Sequence, residues 1–425
     1  MEFIERHIRP EIEAALEWSR VVMIHGARQT GKTTLVRGIA EARGGTYVSL
    51  DDDEQRESVL LDPVAFLSSQ RYPLAIDEVQ LGGNRVIVAV KRLVDEDQTP
   101  GRFILTGSTN FLTVPNISES LAGRVRLFRL WPLSEAELVG VVPTEIDHWF
   151  EGAPRPAPVT DLSRADYFAS ACRGGYPEVV SLDQDQRRHW FDDYIETVVQ
   201  RDILALADIR RAASLPRLLC WAAASTSSEM NRTDAAKGLR VSRSVIASYF
   251  EWLQTVFLVH ELPAWSRNLS SRTTSRPKIH ITDAGLAASL LDVEPEALAS
   301  PTSPAAGPLL ETFAVGEIAR QLVASPRKRS LYHWRNHRDR DHRDREVDLL
   351  IEAPNGDVVA VEIKATSSPS PQHTRHLRWL RDKIDVVAPG AFQAGILLHT
   401  GPLTLSLGDR IHMRPIGCLW TQSTQ

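Results

Sequence analysis

Gly26-Ala27-Arg28-Gln29-Thr30-Gly31-Lys32-Thr33-Thr34 is the stretch that decides the N-terminal fold. It fits the G-x-x-x-x-G-K-[ST] spacing of a phosphate-binding loop, and its flanks fit as well. The apolar run Val21-Val22-Met23-Ile24 before it reads as a buried parallel strand. Lys32 to Ala42 after it reads as a helix with apolar spacing at Leu35, Ile39 and Ala42. Glycines let successive backbone N–H groups face one anion, and the start of the helix adds its positive end. Lys32 would reach the β- and γ-phosphates, and the Thr33 hydroxyl would ligate Mg2+. The chain is therefore expected to bind a nucleoside triphosphate through Gly26 to Thr34.

Further strands are expected at Thr46–Leu50, Pro73–Ile76, Arg102–Thr106 and Val125–Leu130, separated by helix-sized segments. That alternation predicts an α/β fold with a parallel sheet wrapped by helices. Ligands in such sheets lie at the carboxyl ends of the strands, where Asp77, Glu78, Ser108 and Asn110 fall. Asp77 is suited to hold Mg2+, and Glu78 to orient and deprotonate the attacking water. Ser108 or Asn110 would hydrogen-bond the γ-phosphate or that water.

Several segments resemble one family. They are Gly26–Thr34, Leu74-Ala75-Ile76-Asp77-Glu78-Val79-Gln80, Ile104-Leu105-Thr106-Gly107-Ser108, and Leu121-Ala122-Gly123-Arg124 through Trp131-Pro132-Leu133-Ser134. The likeness continues in Tyr194 through Gln200-Arg201-Asp202-Ile203 and in Lys278-Ile279-His280-Ile281-Thr282-Asp283-Ala284-Gly285-Leu286. The family is the prokaryotic AAA-type ATP-binding proteins that carry a C-terminal domain of unknown function. The resemblance implies ATP as the nucleotide. It also implies that Arg124, with Arg126 as the weaker candidate, reaches a neighbouring subunit's γ-phosphate in a homo-oligomer. The plain alternative is an arginine paired with a local carboxylate.

Pro143, Pro154, Pro156 and Pro158 place a hinge after the ATPase part, and helical spacing with Trp190, Tyr194, Ile195, Val198 and Val199 follows. Arg201-Asp202 reads as a structural ion pair, with a reach to the nucleotide as the alternative. A short helix from Thr233 to Leu239, a turn at Arg240-Val241 and a longer helix capped by Ser242 give helix-turn-helix geometry. The second helix would present Arg243 and Ser244 outward. The polar loop with Arg272 and Arg276, set between strand-like Phe257–His260 and Lys278–Thr282, reads as a basic wing. These four residues are the expected DNA contacts.

In the C-terminal part, Glu346-Val347-Asp348-Leu349-Leu350-Ile351 is followed by Val358-Val359-Ala360-Val361-Glu362-Ile363-Lys364. Asp followed by Glu-x-Lys resembles the PD-(D/E)xK nuclease signature. Pro354-Asn355-Gly356 predicts a three-residue hairpin loop, a type I turn with Gly left-handed, which pairs Ala353 with Asp357. Counting back puts Asp348 opposite Glu362 on one face, with Lys364 beside them. These carboxylates are the expected second metal site, completed by Glu311 or Glu317 from the preceding helix. The alternative is a solvent-facing strand with an incidental ion pair. The charged loop Asn336–Arg345 reads as solvated.

The hydrophobic fraction of 43% and charged fraction of 24% are those of an ordinary soluble protein. No apolar run suits a bilayer, the N-terminus lacks the order of a signal peptide, and Cys172, Cys220 and Cys418 form neither a disulfide framework nor a zinc pattern. A cytoplasmic protein with no membrane partner is expected. The expected division is 1–140 an AAA-like P-loop ATPase domain, 141–225 a helical connector or lid, 226–291 a winged-helix-like domain, 292–308 a linker, and 309–425 a PD-(D/E)xK nuclease-like domain. Two functions fit. One is an ATPase that couples nucleotide state to DNA binding and metal-dependent cleavage. The other is a slow nucleotide-dependent switch that recognises protein partners and cuts nothing.

Overall fold

A computed structural model describes residues 4–109, 121–152, 160–198, 215–268, 272, 275–336 and 345–421. Asn110, Val199, Arg201, Asp202 and most of the charged 336–345 loop lie outside the described residues.

The N-terminal sheet comprises β1 (Val21–His25), β2 (Thr46–Ser49), β3 (Leu74–Asp77), β4 (Phe103–Gly107) and β5 (Val125–Arg129), in the order β2-β3-β4-β1-β5. Every pairing in it is parallel. Strands of such a sheet are covered on both faces, and the side chains of β1 divide accordingly. Val21 and Met23 join the core under helix Gly83–Glu96, while Val22 and Ile24 join the core under helices Arg9–Leu16 and Lys32–Ala42. Fully burying one such side chain stabilises the fold by about 1.5–3 kcal/mol.

Helices Arg164–Arg173, Gln184–Thr197 and Leu215–Ala224 follow, the first two begun by capping boxes at Ser163 and Asp183. Next come β6 (Ser228–Glu229), helices Arg232–Leu239 and Arg243–Thr255, β7 (Val259–Leu262) and β8 (Lys278–Ile281). Arg240 takes the left-handed conformation that ends the first of these helices, and Ser242 caps the second by accepting from Val245 N. The three strands form an antiparallel sheet in the order β6-β8-β7.

The C-terminal sheet is mixed. It contains β9 (Ser330–Asn336), β10 (Arg345–Glu352), β11 (Val358–Lys364), β12 (Phe392–His399), β13 (Leu405–Ser406) and β14 (Ile411–Pro415), in the order β13-β14-β12-β11-β10-β9. Helix Ala306–Val323 covers one face and helix Arg375–Val387 the other, so Val359 and Val361 fall in one core and Val358 and Ala360 in the other. The β10–β11 hairpin has the register that its turn predicts. Ala353 N donates to Asp357 O at 2.9 Å, Gly356 has φ +88°, and Leu349 pairs with Val361.

Two features depart from the sequence reading. The 292–308 stretch holds helix Pro295–Ala299, packed against helix Arg164–Arg173, with Arg164 Nε donating to Ala299 O at 2.9 Å. Proline at the first helical position starts a turn there rather than preventing one. A single core also runs from Trp149 and Tyr167 through Ile246 and Phe313 to Val361 and Ile396, so the middle and C-terminal parts are packed as one body. Among the described residues no helix is long and apolar enough to cross a membrane.

Candidate functional site

The phosphate-binding loop joins β1 to helix Lys32–Ala42 as the sequence predicts. Gly26 must be glycine, because a Cβ there would stand 2.2 Å from the Leu130 carbonyl oxygen. Gly31 is left-handed at φ +89° and forms the N-cap of the helix. Lys32, almost fully buried, donates to Gly26 O at 3.0 Å and Ala27 O at 2.8 Å, across the loop's own concavity. Thr30 Oγ1 closes the loop on Ala27 O. Arg28, Gln29, Thr33 and Thr34 line a cavity of about 940 Å³ that opens from the loop.

Across that cavity Thr33 Oγ1 donates to Asp77 Oδ2 at 2.7 Å. The other Asp77 oxygen accepts from Thr106 Oγ1, and Tyr47 OH donates to Oδ2 at 2.9 Å. Burial and the neighbouring Asp77 charge raise the Tyr47 phenol, keeping it a donor. Glu78 is left-handed at φ +51°, an uncommon conformation for a non-glycine residue at the end of a strand. Its N–H donates to Thr106 Oγ1 at 3.0 Å, and its carboxylate accepts from Ser108 Oγ at 3.0 Å and from Gln80. Thr106 thus fixes the Asp77 carboxylate and the Glu78 backbone, a role that the strand pattern did not signal.

A hard oxygen pair from Thr33 and Asp77 beside a glycine-lined loop fits a magnesium nucleotide. Two further contacts brace the loop from outside. Arg6 donates to Thr30 O and Trp131 O, both at 2.7 Å, and pairs with Glu137 at 3.0 Å. Tyr194 OH reaches Arg28 O at 3.4 Å, with its ring stacked on Trp190 at 5.0 Å between centroids. Beneath the loop, burial holds His25 down to about 4, helped by Arg129 and Lys32. Arg129 is itself lowered to about 9 by burial and lies over the rings of Trp131 and Phe257.

Arg124 does not face the cavity in this chain. Its guanidinium grips Asp95 through two hydrogen bonds of 2.6 and 3.1 Å. Arg126 is exposed over Phe128. Arg243, Ser244 and Arg276 are exposed, as a contact surface requires. Arg272 is not. It forms a two-pronged pair with Glu352 at 2.7 and 2.8 Å over the Tyr332 ring, because the C-terminal sheet supplies a carboxylate that the wing reading did not anticipate.

The C-terminal carboxylates also need one correction. Asp348 accepts from Ile363 N at 2.8 Å, and Lys364 Nζ stands 2.6 Å from Glu362 and 3.7 Å from Asp348. Glu311 reaches this group through Lys278, whereas Glu317 does not. Glu317 pairs instead with Arg320 at 2.6 Å and accepts from Glu135 N, because six residues of helix carry it away from Glu311 and towards Asp283. Burial, with the Asp348 charge beside each, raises the Glu311 and Glu362 carboxyls to about 8. The set does not fit a divalent cation. Lys278 Nζ already lies 2.8 Å from Glu311, 2.6 Å from Glu346 and 3.6 Å from Asp348.

Three family descriptions match the chain. The description "AAA domain" covers residues 19–139, and two domains of unknown function, DUF8612 and DUF4143, cover 164–297 and 306–419. Uncharacterized protein Rv2008c of Mycobacterium tuberculosis (strain ATCC 25618 / H37Rv) is 30% identical over 366 residues, spanning 86% of this chain and 75% of that protein. Uncharacterized protein Mb2031c of Mycobacterium bovis (strain ATCC BAA-935 / AF2122/97) matches to the same extent. The Thermotoga maritima RuvB Holliday junction branch migration motor aligns with a TM-score of 0.29 and 17% identity, over 60% of this chain and 89% of that one, which is too loose to argue from. At 30% identity with 75% of each relative's length covered, the chain belongs to the family of these mycobacterial proteins, and its own N-terminal part has an AAA-type P-loop ATPase fold.

Proposed function

We propose that the protein binds ATP with Mg2+ at the Gly26–Thr34 loop and hydrolyses it, using nucleotide state as a switch. The observation that carries this reading is the Thr33–Asp77 contact at 2.7 Å with Glu78 held next to it by Ser108 and Gln80. Bound Mg2+ would neutralise charge developing on the phosphates. Thr33 and Asp77 hold the oxygens that receive it. Glu78, fixed in a strained conformation, orients a water and takes its proton. Lys32 exchanges loop carbonyls for phosphate oxygens, and Ser108 keeps Glu78 aimed.

The switch has a mechanical route. Arg6 and Tyr194 each touch a carbonyl of the loop, and Tyr194 belongs to the core of the middle part. We read that middle part as a winged helix and the C-terminal part as a PD-(D/E)xK-like fold, on the grounds of their element order. No cleavage step is routed through the latter, since its carboxylates already hold lysines.

One observation favours DNA as the partner. Lys237, Arg240 and Arg243 are exposed around the turn between the two middle helices. Such a patch gives salt-sensitive affinity for phosphates. Steady-state ATP hydrolysis with and without duplex, single-stranded and branched DNA, with Glu78→Gln as control, tests both readings. Stimulation by one DNA form identifies a DNA-coupled ATPase. A rate indifferent to every form assigns the switch to a protein partner, and no hydrolysis above the control rejects the enzyme.

A further inference from the structure

We propose that Lys278 is the built-in cation of the C-terminal carboxylate cluster, standing where a divalent ion would have to stand and fastening the middle part to the C-terminal sheet. Lys278 opens β8, and its side chain is 1% exposed. Its ammonium meets three carboxylates from two different elements, Glu311 of helix Ala306–Val323 and Glu346 and Asp348 of β10. A lysine is rarely buried this deeply unless it is paired. Here the partners hold it so strongly that its proton is retained far above the usual lysine range, despite burial.

The charges explain why the cluster takes no metal. Asp348, the residue central to any metal reading, is shared between Lys278 on one oxygen and Lys364 on the other, and it also accepts from Ile363 N. A divalent ion needs carboxylate oxygens at about 2.0–2.6 Å, and there it would be repelled by two ammonium groups that stand 3.6 and 3.7 Å from the Asp348 oxygens. Among the described residues no group of three acidic, histidine or cysteine side chains is arranged to hold a metal. The same contacts bridge the strand that ends the winged segment to the sheet carrying Asp348 and Glu362. The residues that resemble a nuclease signature therefore serve as an internal joint.

The test uses the full chain without nucleotide. Mn2+ binding is counted by electron paramagnetic resonance for the wild-type protein, Asp348→Asn and Lys278→Met. Wild type and Asp348→Asn should bind the same number of ions. One additional ion in wild type, lost in Asp348→Asn, would overturn the proposal. Lys278→Met should lower the thermal midpoint by roughly 5 °C, because it leaves buried carboxylates without their cation. Adding Glu311→Gln to it should recover part of that loss. An unchanged midpoint in Lys278→Met, or no recovery in the double variant, would also overturn it. The wild-type and Asp348→Asn comparison needs no Lys278 variant and decides the metal question even if that variant does not fold.

Discussion

The Thr33 hydroxyl donates to Asp77 Oδ2 at 2.7 Å, joining the first turn after β1 to the end of β3, with β4 lying between the two strands. If this pair receives Mg2+, Asp77→Asn should lower kcat roughly 100-fold or more. Glu78→Gln should leave ATP binding intact while hydrolysis falls by roughly 10²–10⁴-fold. Binding measured with a fluorescent nucleotide, set against phosphate release, separates the two. Equal losses of binding and turnover in Glu78→Gln would remove it from the role of base.

Arg6 ties Thr30 O, Trp131 O and Glu137 together, and both members of its ion pair are nearly fully buried. Arg6→Ala leaves Glu137 charged and unpaired, so unfolding stability should drop by about 3–5 kcal/mol. Arg6→Lys should rescue little, since a single ammonium cannot span three acceptors as a planar guanidinium does. Urea denaturation of the three proteins checks this. Full rescue by lysine would show that charge alone matters.

Arg243 and Arg272 make opposite predictions for DNA. Arg243→Ala should weaken binding evenly across sequences and reduce the slope of log affinity against log salt by about 1. Arg272→Ala should leave that slope unchanged, because its guanidinium is engaged by Glu352. Filter binding across a salt series reads both. A slope that falls for Arg272→Ala and not for Arg243→Ala would relocate the contact surface to the wing.

Several histidines are buried in neutral form. Burial, together with Arg129, holds His260 at about 3 and His25 at about 4, against 6.5 for a free ring. A pKa below the unfolded value means that the unfolded chain takes up protons first. The contribution of each ring is therefore complete above pH 6.5 and is lost as pH falls towards 4 and 3, at about 1.4 kcal/mol per pH unit per ring. The raised Glu311 and Glu362 carboxyls act on global stability in the opposite sense over the same range, so the rings are read individually by NMR, and both should stay neutral from pH 7 to pH 5. A ring that titrates near 6.5 would contradict burial in the neutral form.

Legibility in the sequence followed the range of the interaction. The loop at Gly26–Thr34 and the Ala353–Asp357 hairpin are set by local backbone requirements, so spacing and turn chemistry are enough to place them, and with them the hairpin register as far as the Leu349–Val361 pair. Glu311 and Glu317 were not separable, since both lie on one long helix and only its rotation against the sheet decides which approaches Asp348. Arg272 looked free because Glu352 is 80 residues away in the chain. Lys278 looked like an ordinary first residue of a strand for the same reason, its partners arriving from other elements. Tyr47 and Thr106 orient Asp77 from neighbouring strands, and no motif marks them.

The continuous core from Trp149 to Ile396 bears on how motion is divided. Two bodies that share an interior cannot swing past one another without opening it to water. A stroke begun at the loop would thus turn the middle and C-terminal parts together as a single lever arm. Whatever the arm grips, it would present both of its far surfaces at a fixed angle throughout the nucleotide cycle.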